Sequence, residues 1–313
     1  MHTISNSVVK KDHAPKMEGR SVYVCDIDKH GVLCGKMLRS KYARAKLLSV
    51  KVPELPDGYY YVDRNDVPGD NNVNIVMDDT PVYARETVEY IGEPIGMVCG
   101  PDEAVCEDIL RRIQVEYEEL EPMLDLRKAD EVFFNYEYEK GDIDKAFAEA
   151  DKVYEEEFET GYQDQTYLET QGMMAEPEEG GRMFVHGSMQ CAYYVHGAVM
   201  RALNCGPADV HIHQDVTGGG FGGKLDSYSF GLCAAKMAEM TGRPVRMILS
   251  REEVFQTTRN RHPIYMHIDT AFGTNGKLLA KKCYHVLDGG PYGGSGVAAC
   301  AQSTLWANFP YKM

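Results

Sequence analysis

Hydrophobic and polar positions change period several times along this chain, and each change marks an element. Val210 to Val216 alternates, with Val210, Ile212 and Val216 on one face and His211, His213 and Asp215 on the other, the pattern of a half-buried strand. Leu225 to Met240, rich in Ala, Met, Leu and Lys, predicts a helix that closes at Thr241-Gly242 before a second apolar run, Val245 to Leu249. Between them lies TGGGFGGK, residues 217–224, with five glycines and one large apolar side chain, Phe221. The order is therefore strand, glycine loop, helix, strand. Such glycine density gives up regular structure for positive φ angles and close backbone approach, and the following helix start offers free amides and a positive dipole end. That combination suits an anion or an oxo group.

The same reading along the rest of the chain predicts strands at Val22 to Ile27, Val32 to Leu38, Val73 to Met77 and Ile95 to Cys99, and loops at Pro53 to Gly58 and Pro68 to Asn72. Val105, Ile109 and Ile113, with Leu110 widening the stripe, predict an amphipathic helix starting near Pro101-Asp102. The strand-like Val115 to Tyr117 gives way at Pro122 to charges without a period. Gly141-Asp142 then opens a short helix containing Ile143 and Phe147. Strands are expected at Val153 to Phe158 and Arg182 to Gly187, a helix at Ala192 to Leu203, and an antiparallel strand where Ile264, Met266 and Ile268 alternate with Tyr265, His267 and Asp269. This predicts an α+β chain with an arm at 1–16, a compact α/β domain at 17–125, a linker at 126–140 and a second α+β domain at 141–313. A length of 313 residues is enough for two cores.

Charge narrows the range of partners. With 48 Asp plus Glu against 33 Lys plus Arg the net charge is −15, which disfavours nucleic acid and anionic membranes. No apolar run approaches the length of a membrane span, and the N-terminus lacks the apolar stretch of a signal peptide, so a cytoplasmic protein is expected. Nine cysteines without one CxxC pair suit free thiols better than a disulfide framework, a structural zinc site or an iron-sulfur cluster.

The glycine loop admits several chemistries. Gly218 to Lys224 matches the front of a phosphate-binding P-loop, but Leu225 stands where Ser or Thr must ligate magnesium, so a nucleotide-binding module remains only an alternative. Gly218, Gly220 and Gly223 also spell GxGxxG, yet no opening βαβ unit precedes them. A tight turn without ligand is the plain reading. His211, His213 and Asp215 share a face and are either metal ligands or an exposed polar edge. Gln190 closes the strand before a helix, where its amide can donate and accept in one place. Lys224 is either a cation near a ligand or a solvated helix-start lysine. The acidic runs Glu116 to Glu121 and Glu155 to Glu159 read as solvated faces. Neither Glu169 nor Glu176, in YLETQGMMAEP, is assigned a catalytic role.

GGGFGGK resembles the signature of the molybdenum-binding subunit of the xanthine dehydrogenase and aldehyde oxidase family. Segments in the same order agree with it: MEGRSVYVCDI from Met17, LRSKYARAKLLSVKV from Leu38, YIGEPIGMVCG from Tyr90, VEYEELEPMLD from Val115, GDIDKAFAEADKVYEEEF from Gly141, YLETQGMMAEP from Tyr167 and TGRPVRMILSREE from Thr241. The resemblance implies that 17–125 is a hammerhead domain and 141–313 the first portion of a molybdopterin-binding domain. It implies a molybdopterin-type cofactor held without a protein side chain as metal ligand, approached by Gln190, Gly219, Gly220, Phe221 and Gly222, with Phe221 and Leu225 on the substrate side. Purine-oxidising members carry glutamate directly after GGGFGGK. Leu225 puts a xanthine-specific pose in doubt, an unpaired substrate group being worth ~1–3 kcal/mol.

The implied activity is oxidative hydroxylation of an N-heterocycle or an aldehyde with water as oxygen source, electrons leaving through 2Fe-2S and FAD partner chains. No catalytic residue is assigned, because the family's glutamate base is expected in a part absent here. The chain stops at Tyr311-Lys312-Met313 without a cap, where the family continues, so a fragment or split subunit is expected, inactive alone. A non-catalytic assembly subunit is the further alternative.

Overall fold

A computed structural model describes residues 7–73, 76–129, 131–225 and 227–307, with the side chains of 227–229 left aside. In its first third, β1 (Leu33–Arg39), β2 (Ala45–Lys51), β3 (Tyr60–Asp63), β4 (Pro94–Gly100), α1 (Glu103–Arg112) and β5 (Gln114–Glu119) follow one another. Helix α1 starts where expected because the Asp102 carboxylate accepts from the Val105 amide at 3.1 Å, filling one of the helix's orphan donors. After the 121–142 stretch come α2 (Ile143–Ala148), β6 (Lys152–Thr160), β7 (Gly172–Pro177), β8 (Met183–Gly187), α3 (Ala192–Leu203), β9 (Val210–Gln214), α4 (Ser227–Thr241), β10 (Val245–Ile248), α5 (Arg251–Thr257), β11 (Ile264–Phe272), β12 (Leu278–Leu287) and α6 (Gly296–Trp306).

The principal sheet has seven strands in the order β9-β8-β7-β10-β1-β4-β3, so the two sequence segments share it. The seam is parallel: β1 lies beside β10 with Leu33 opposite Val245 and Gly35 opposite Met247. Alternation across β1 and β4 feeds two cores at once. Leu33, Met37, Met97 and Cys99 join Met173, Val185, Val195 and Leu232 on one side, where α3 and α4 pack. Leu38 and Val98 join Cys106 and Ile109 of α1, and Ile113 just after it, on the other. A smaller sheet, β12-β11-β6, carries the acidic run Glu155 to Glu159 on an exposed strand, as its charge predicts. Between 121 and 143, around a single turn at Leu126–Lys128, Phe133, Phe134, Tyr136 and Tyr138 stand exposed beside an open trough of about 2770 Å³ against β12 and α6. No glycine-loop residue lines it.

The structure alters several expectations. Val22 to Ile27 is not a strand but a turn, Val24–Asp26, because the Asp26 carboxylate accepts from the Tyr23 amide at 3.0 Å and Arg246 takes the Ile27 carbonyl at 2.8 Å. Of Val73 to Met77, Val73 pairs with Thr80, 74 and 75 lie outside the described residues, and Val76 and Met77 form a bend. Within the expected arm, 1–6 lie outside the described residues and His13–Met17 makes one helical turn. The chain end at 308–313 also lies outside them. The strands at β2, β3, β7 and β12 and the helices α5 and α6 have no counterpart in the periodicity reading. All nine cysteines are free thiols. Among the described residues no helix is long and apolar enough to cross a membrane.

Candidate functional site

Register dictates where the site falls. Strands β8 and β9 are parallel, so Ser188 to Gln190 and Thr217 to Lys224, which follow them, emerge at one end of the sheet. Strand β7 runs antiparallel to β8 with Met173 opposite Gly187, which brings the preceding stretch, Tyr167 to Gln171, to that same end. Strand β10 is antiparallel to β7, with Gly172 opposite Ile248, and delivers Arg251 there. Four separate loops meet because of strand direction alone.

The glycine loop lies on a bed of side chains. A Cβ at Gly218 would sit 2.6 Å from that of Glu169, one at Gly220 2.6 Å from Gln190 Oε1, and one at Gly223 2.5 Å from the Tyr167 ring. Only glycine fits such approach. Gly219, Phe221 and Gly222 have φ of +99°, +52° and +96°. Phe221 is the exception among them, a bulky side chain in the left-handed region, and its ring is 76% exposed.

Gln190 fixes the crest of the loop. Its Oε1 accepts from the amides of Gly222 at 2.9 Å and Lys224 at 3.1 Å, and two backbone donors on one atom decide which end of the side chain is oxygen. Its Nε2 is left as a donor without an acceptor among the described residues. The amides of Gly219, Gly220 and Phe221 likewise find no acceptor among the described residues, although Gly220 is buried. Three consecutive loop amides and the Gln190 Nε2, unpaired among the described residues, offer donors to electron-rich atoms.

Beneath the loop is a charge pair that the sequence reading missed. Lys224 is not a solvated helix-start lysine: it is 0% exposed, with Nζ 2.8 Å from Glu169 Oε2, 2.7 Å from Ser188 Oγ and 4.9 Å from the Tyr167 ring centre. Burial pulls its ammonium below the usual lysine range, and Glu169 offsets part of that. Glu169 Oε2 also accepts from Ser188 Oγ at 2.6 Å and from the Gly218 amide at 2.7 Å. Gln171 donates to the Tyr167 hydroxyl and, at 3.0 Å, to the Gly223 carbonyl. Arg251 Nη2 holds the Tyr167 carbonyl at 2.6 Å. Glu169 and Lys224 are 55 positions apart, and no period links them. The one signal was a lysine closing a run of glycines that leave it no company in the loop.

His211, His213 and Asp215 do not converge as a metal site. His211 and His213 are exposed, 3.9 Å from Glu178 and 3.7 Å from Asp215 respectively, and among the described residues no group of three or more His, Cys, Asp or Glu is disposed to hold a metal. Asp215 turns instead to buried His186, with Nδ1 2.8 Å from Oδ2, while Glu176 lies 3.4 Å from Nε2 and pairs with Lys29. Burial lowers the His186 pKa, but the two carboxylates outweigh it and the net shift is upward. Leu225 follows the loop half-buried, its amide 3.4 Å from the Gly222 carbonyl.

Comparisons with known proteins show the family to which the chain is similar and the fold it shares. The family described as "Molybdopterin cofactor-binding domain" matches residues 126–313, and that described as "Aldehyde oxidase and xanthine dehydrogenase, a/b hammerhead domain" matches 18–121. The chain is 33% identical over 321 residues to a probable xanthine dehydrogenase subunit of Bacillus subtilis, covering 98% of this chain and 43% of that protein. It is 29% identical to "Nicotinate dehydrogenase large molybdopterin subunit" of Eubacterium barkeri, covering 98% and 76%. Among solved structures, the aldehyde oxidoreductase of Desulfovibrio gigas superposes with a TM-score of 0.82 at 23% identity, over 91% of this chain and 34% of that one. The quinoline 2-oxidoreductase of Pseudomonas putida 86 gives 0.80 at 24%, over 90% and 39%. The chain thus spans less than half of the Bacillus relative and of both these structures.

Proposed function

We propose, because this chain belongs to the molybdopterin cofactor-binding family of the xanthine dehydrogenase and aldehyde oxidase type, that it is the cofactor-facing portion of a molybdenum hydroxylase. The observation that carries the reading is the cradle: the amides of Gly219, Gly220 and Phe221 beside the Nε2 of Gln190, all without an acceptor among the described residues. Hydrogen-bond donors fit the oxo and pterin atoms of such a cofactor, and glycine permits their approach. The exposed Phe221 ring offers an apolar face for a planar substrate or its access route. Half-buried Leu225, which neither donates nor accepts, favours an aldehyde or an N-heterocycle other than xanthine.

When bound, the cofactor supplies the redox chemistry that hydroxylates the substrate with oxygen from water. The chain's own residues then do three things. Gln190 and the loop amides orient and polarise, Phe221 and Leu225 shape the substrate side, and the Glu169–Lys224 pair supports the loop from below. Electrons would leave through 2Fe-2S and FAD partner chains in a cytoplasmic complex, with 17–125 and 141–313 acting as hammerhead and cofactor-binding units. The glutamate base and further pterin contacts would come from a complementary molybdopterin-binding half.

The test is to purify the chain with its native partners from a host that makes the cofactor, and to measure molybdenum and oxidised pterin per chain. About one of each is expected in the complex and little on the isolated chain. A complex devoid of both, or stoichiometric molybdenum on the isolated chain, contradicts the reading.

A further inference from the structure

We infer that Glu169 is a positioning residue which decides, through one accepted hydrogen bond, whether the glycine loop presents its free amides. The inference rests on the cofactor reading above. One oxygen, Glu169 Oε2, receives the Gly218 amide at 2.7 Å and Lys224 Nζ at 2.8 Å, so the same atom anchors the first and last residues of the 218–224 loop. Ser188 Oγ, at 2.6 Å from that oxygen and 2.7 Å from Nζ, fastens the pair to the end of β8. Gln190 Oε1 meanwhile occupies the amides of Gly222 and Lys224. Every loop amide except those of Gly219 to Phe221 and of Gly223 is thus taken by one of two side chains, and that of Gly223 closes on the Gly220 carbonyl at 2.8 Å. What remains free is set by what Glu169 and Gln190 consume.

The carboxylate therefore acts at a distance. Its Oε1 is buried without a partner among the described residues, a costly arrangement for a group whose only task is to neutralise a lysine. Replacing a buried ion pair by apolar groups of like shape leaves stability nearly unchanged, whereas removing one partner strands the other charge. That difference separates positioning from plain stabilisation. In Glu169→Leu/Lys224→Met the charges vanish together and the Gly218 amide loses its acceptor. In Glu169→Gln/Lys224→Met the charges vanish but the Gln oxygen can still accept.

The experiment compares both double variants with wild type in the native complex, reading molybdenum and pterin content, the Mo(V) resonance line shape and hydrogen exchange of the loop amides. Wild-type complex with cofactor establishes the cofactor reading separately. The Leu/Met variant is expected to stay folded with a somewhat lowered unfolding midpoint, since the Gly218 amide and Ser188 hydroxyl lose their acceptor, to lose cofactor about tenfold, and to exchange the Gly218 amide at least tenfold faster. The Gln/Met variant is expected to keep cofactor, line shape and Gly218 protection. Full cofactor with an unchanged line shape in Leu/Met overturns the inference, and so does loss of cofactor in a folded Gln/Met. Should either double variant fail to fold, wild-type exchange decides alone: Gly218 slow and Gly219 to Phe221 fast before cofactor loading supports the inference, and equal rates overturn it.

Discussion

Adding one methyl group at Gly220 should disarm the site from within. The new Cβ would lie 2.6 Å from Gln190 Oε1, 2.7 Å from its Cδ and 2.9 Å from its Cγ, so three atoms of the side chain are in the way and a shift of the terminal atom does not relieve them. Gln190 must withdraw by about 0.8 Å to bring the closest of these to the 3.4 Å of ordinary contact, away from the amides of Gly222 and Lys224. Each accepted bond is worth ~1 kcal/mol net, so Gly220→Ala should lower the unfolding free energy by ~2 kcal/mol, a factor of about 30. The freed Nε2 would no longer be held beside the loop, and molybdenum per chain should fall in parallel. Urea unfolding and elemental analysis of the native complex measure both. Gly197→Ala in α3, where a Cβ meets nothing within 4 Å, is the control and should stabilise by ~0.5–1 kcal/mol. Wild-type stability and cofactor content in Gly220→Ala would refute the packing argument and with it the role given to Gln190.

Phe221→Gly removes a side chain from a left-handed backbone without uncovering any core, so the chain should gain ~1 kcal/mol in urea unfolding while KM for an aromatic substrate rises; a loss of stability would show that the ring packs. Glu93, 1% exposed and bonded by the Tyr292 hydroxyl at 2.6 Å, has its carboxyl pushed by burial to about 7 from an ordinary 4.5. A raised carboxyl pKa means that the fold favours the protonated form, so its contribution is whole below pH ~4.5 and lost on rising through ~7. Glu93→Gln should therefore match wild type at acidic pH and exceed it by ~3 kcal/mol at pH 8; a pH-independent difference would contradict the shift. Leu225→Glu should raise kcat/KM for xanthine relative to an aldehyde by about tenfold in the native complex, and an unchanged ratio would remove position 225 from the substrate side.

Local chemistry was legible where the chain states it locally. Ala192 to Leu203 is helical in composition and folds as α3 over those residues; Asp102 and Asp142 cap the helices that follow them, accepting from the Val105 and Lys145 amides. Five glycines within seven positions marked an irregular loop with close backbone approach, and Gln190 does reach it. Val22 to Ile27 misled because a single carboxylate, Asp26, outcompetes strand pairing with a turn. In β2 the adjacent Leu47 and Leu48, where the register shifts, and in β12 the adjacent Lys281 and Lys282 blur the period, and β7, GMMAEP, is buried on both faces and so alternates nowhere.

The buried pair beneath the loop was beyond reach for a different reason. A lysine and a glutamate each carry a strong prior for solvent, and their burial becomes sensible only once β7, β8 and β9 are placed in register, since that register alone brings Tyr167 to Gln171, Ser188 to Gln190 and the glycine loop to one end. The parallel β8–β9 step matters most: shifting β9 by one residue against β8 would turn His211 and His213 inward and carry Gly218 away from Glu169. The outward histidines and the inward charge pair are therefore two consequences of one register. A sequence can advertise the first through alternation, while the second exists only as a meeting of segments 55 positions apart.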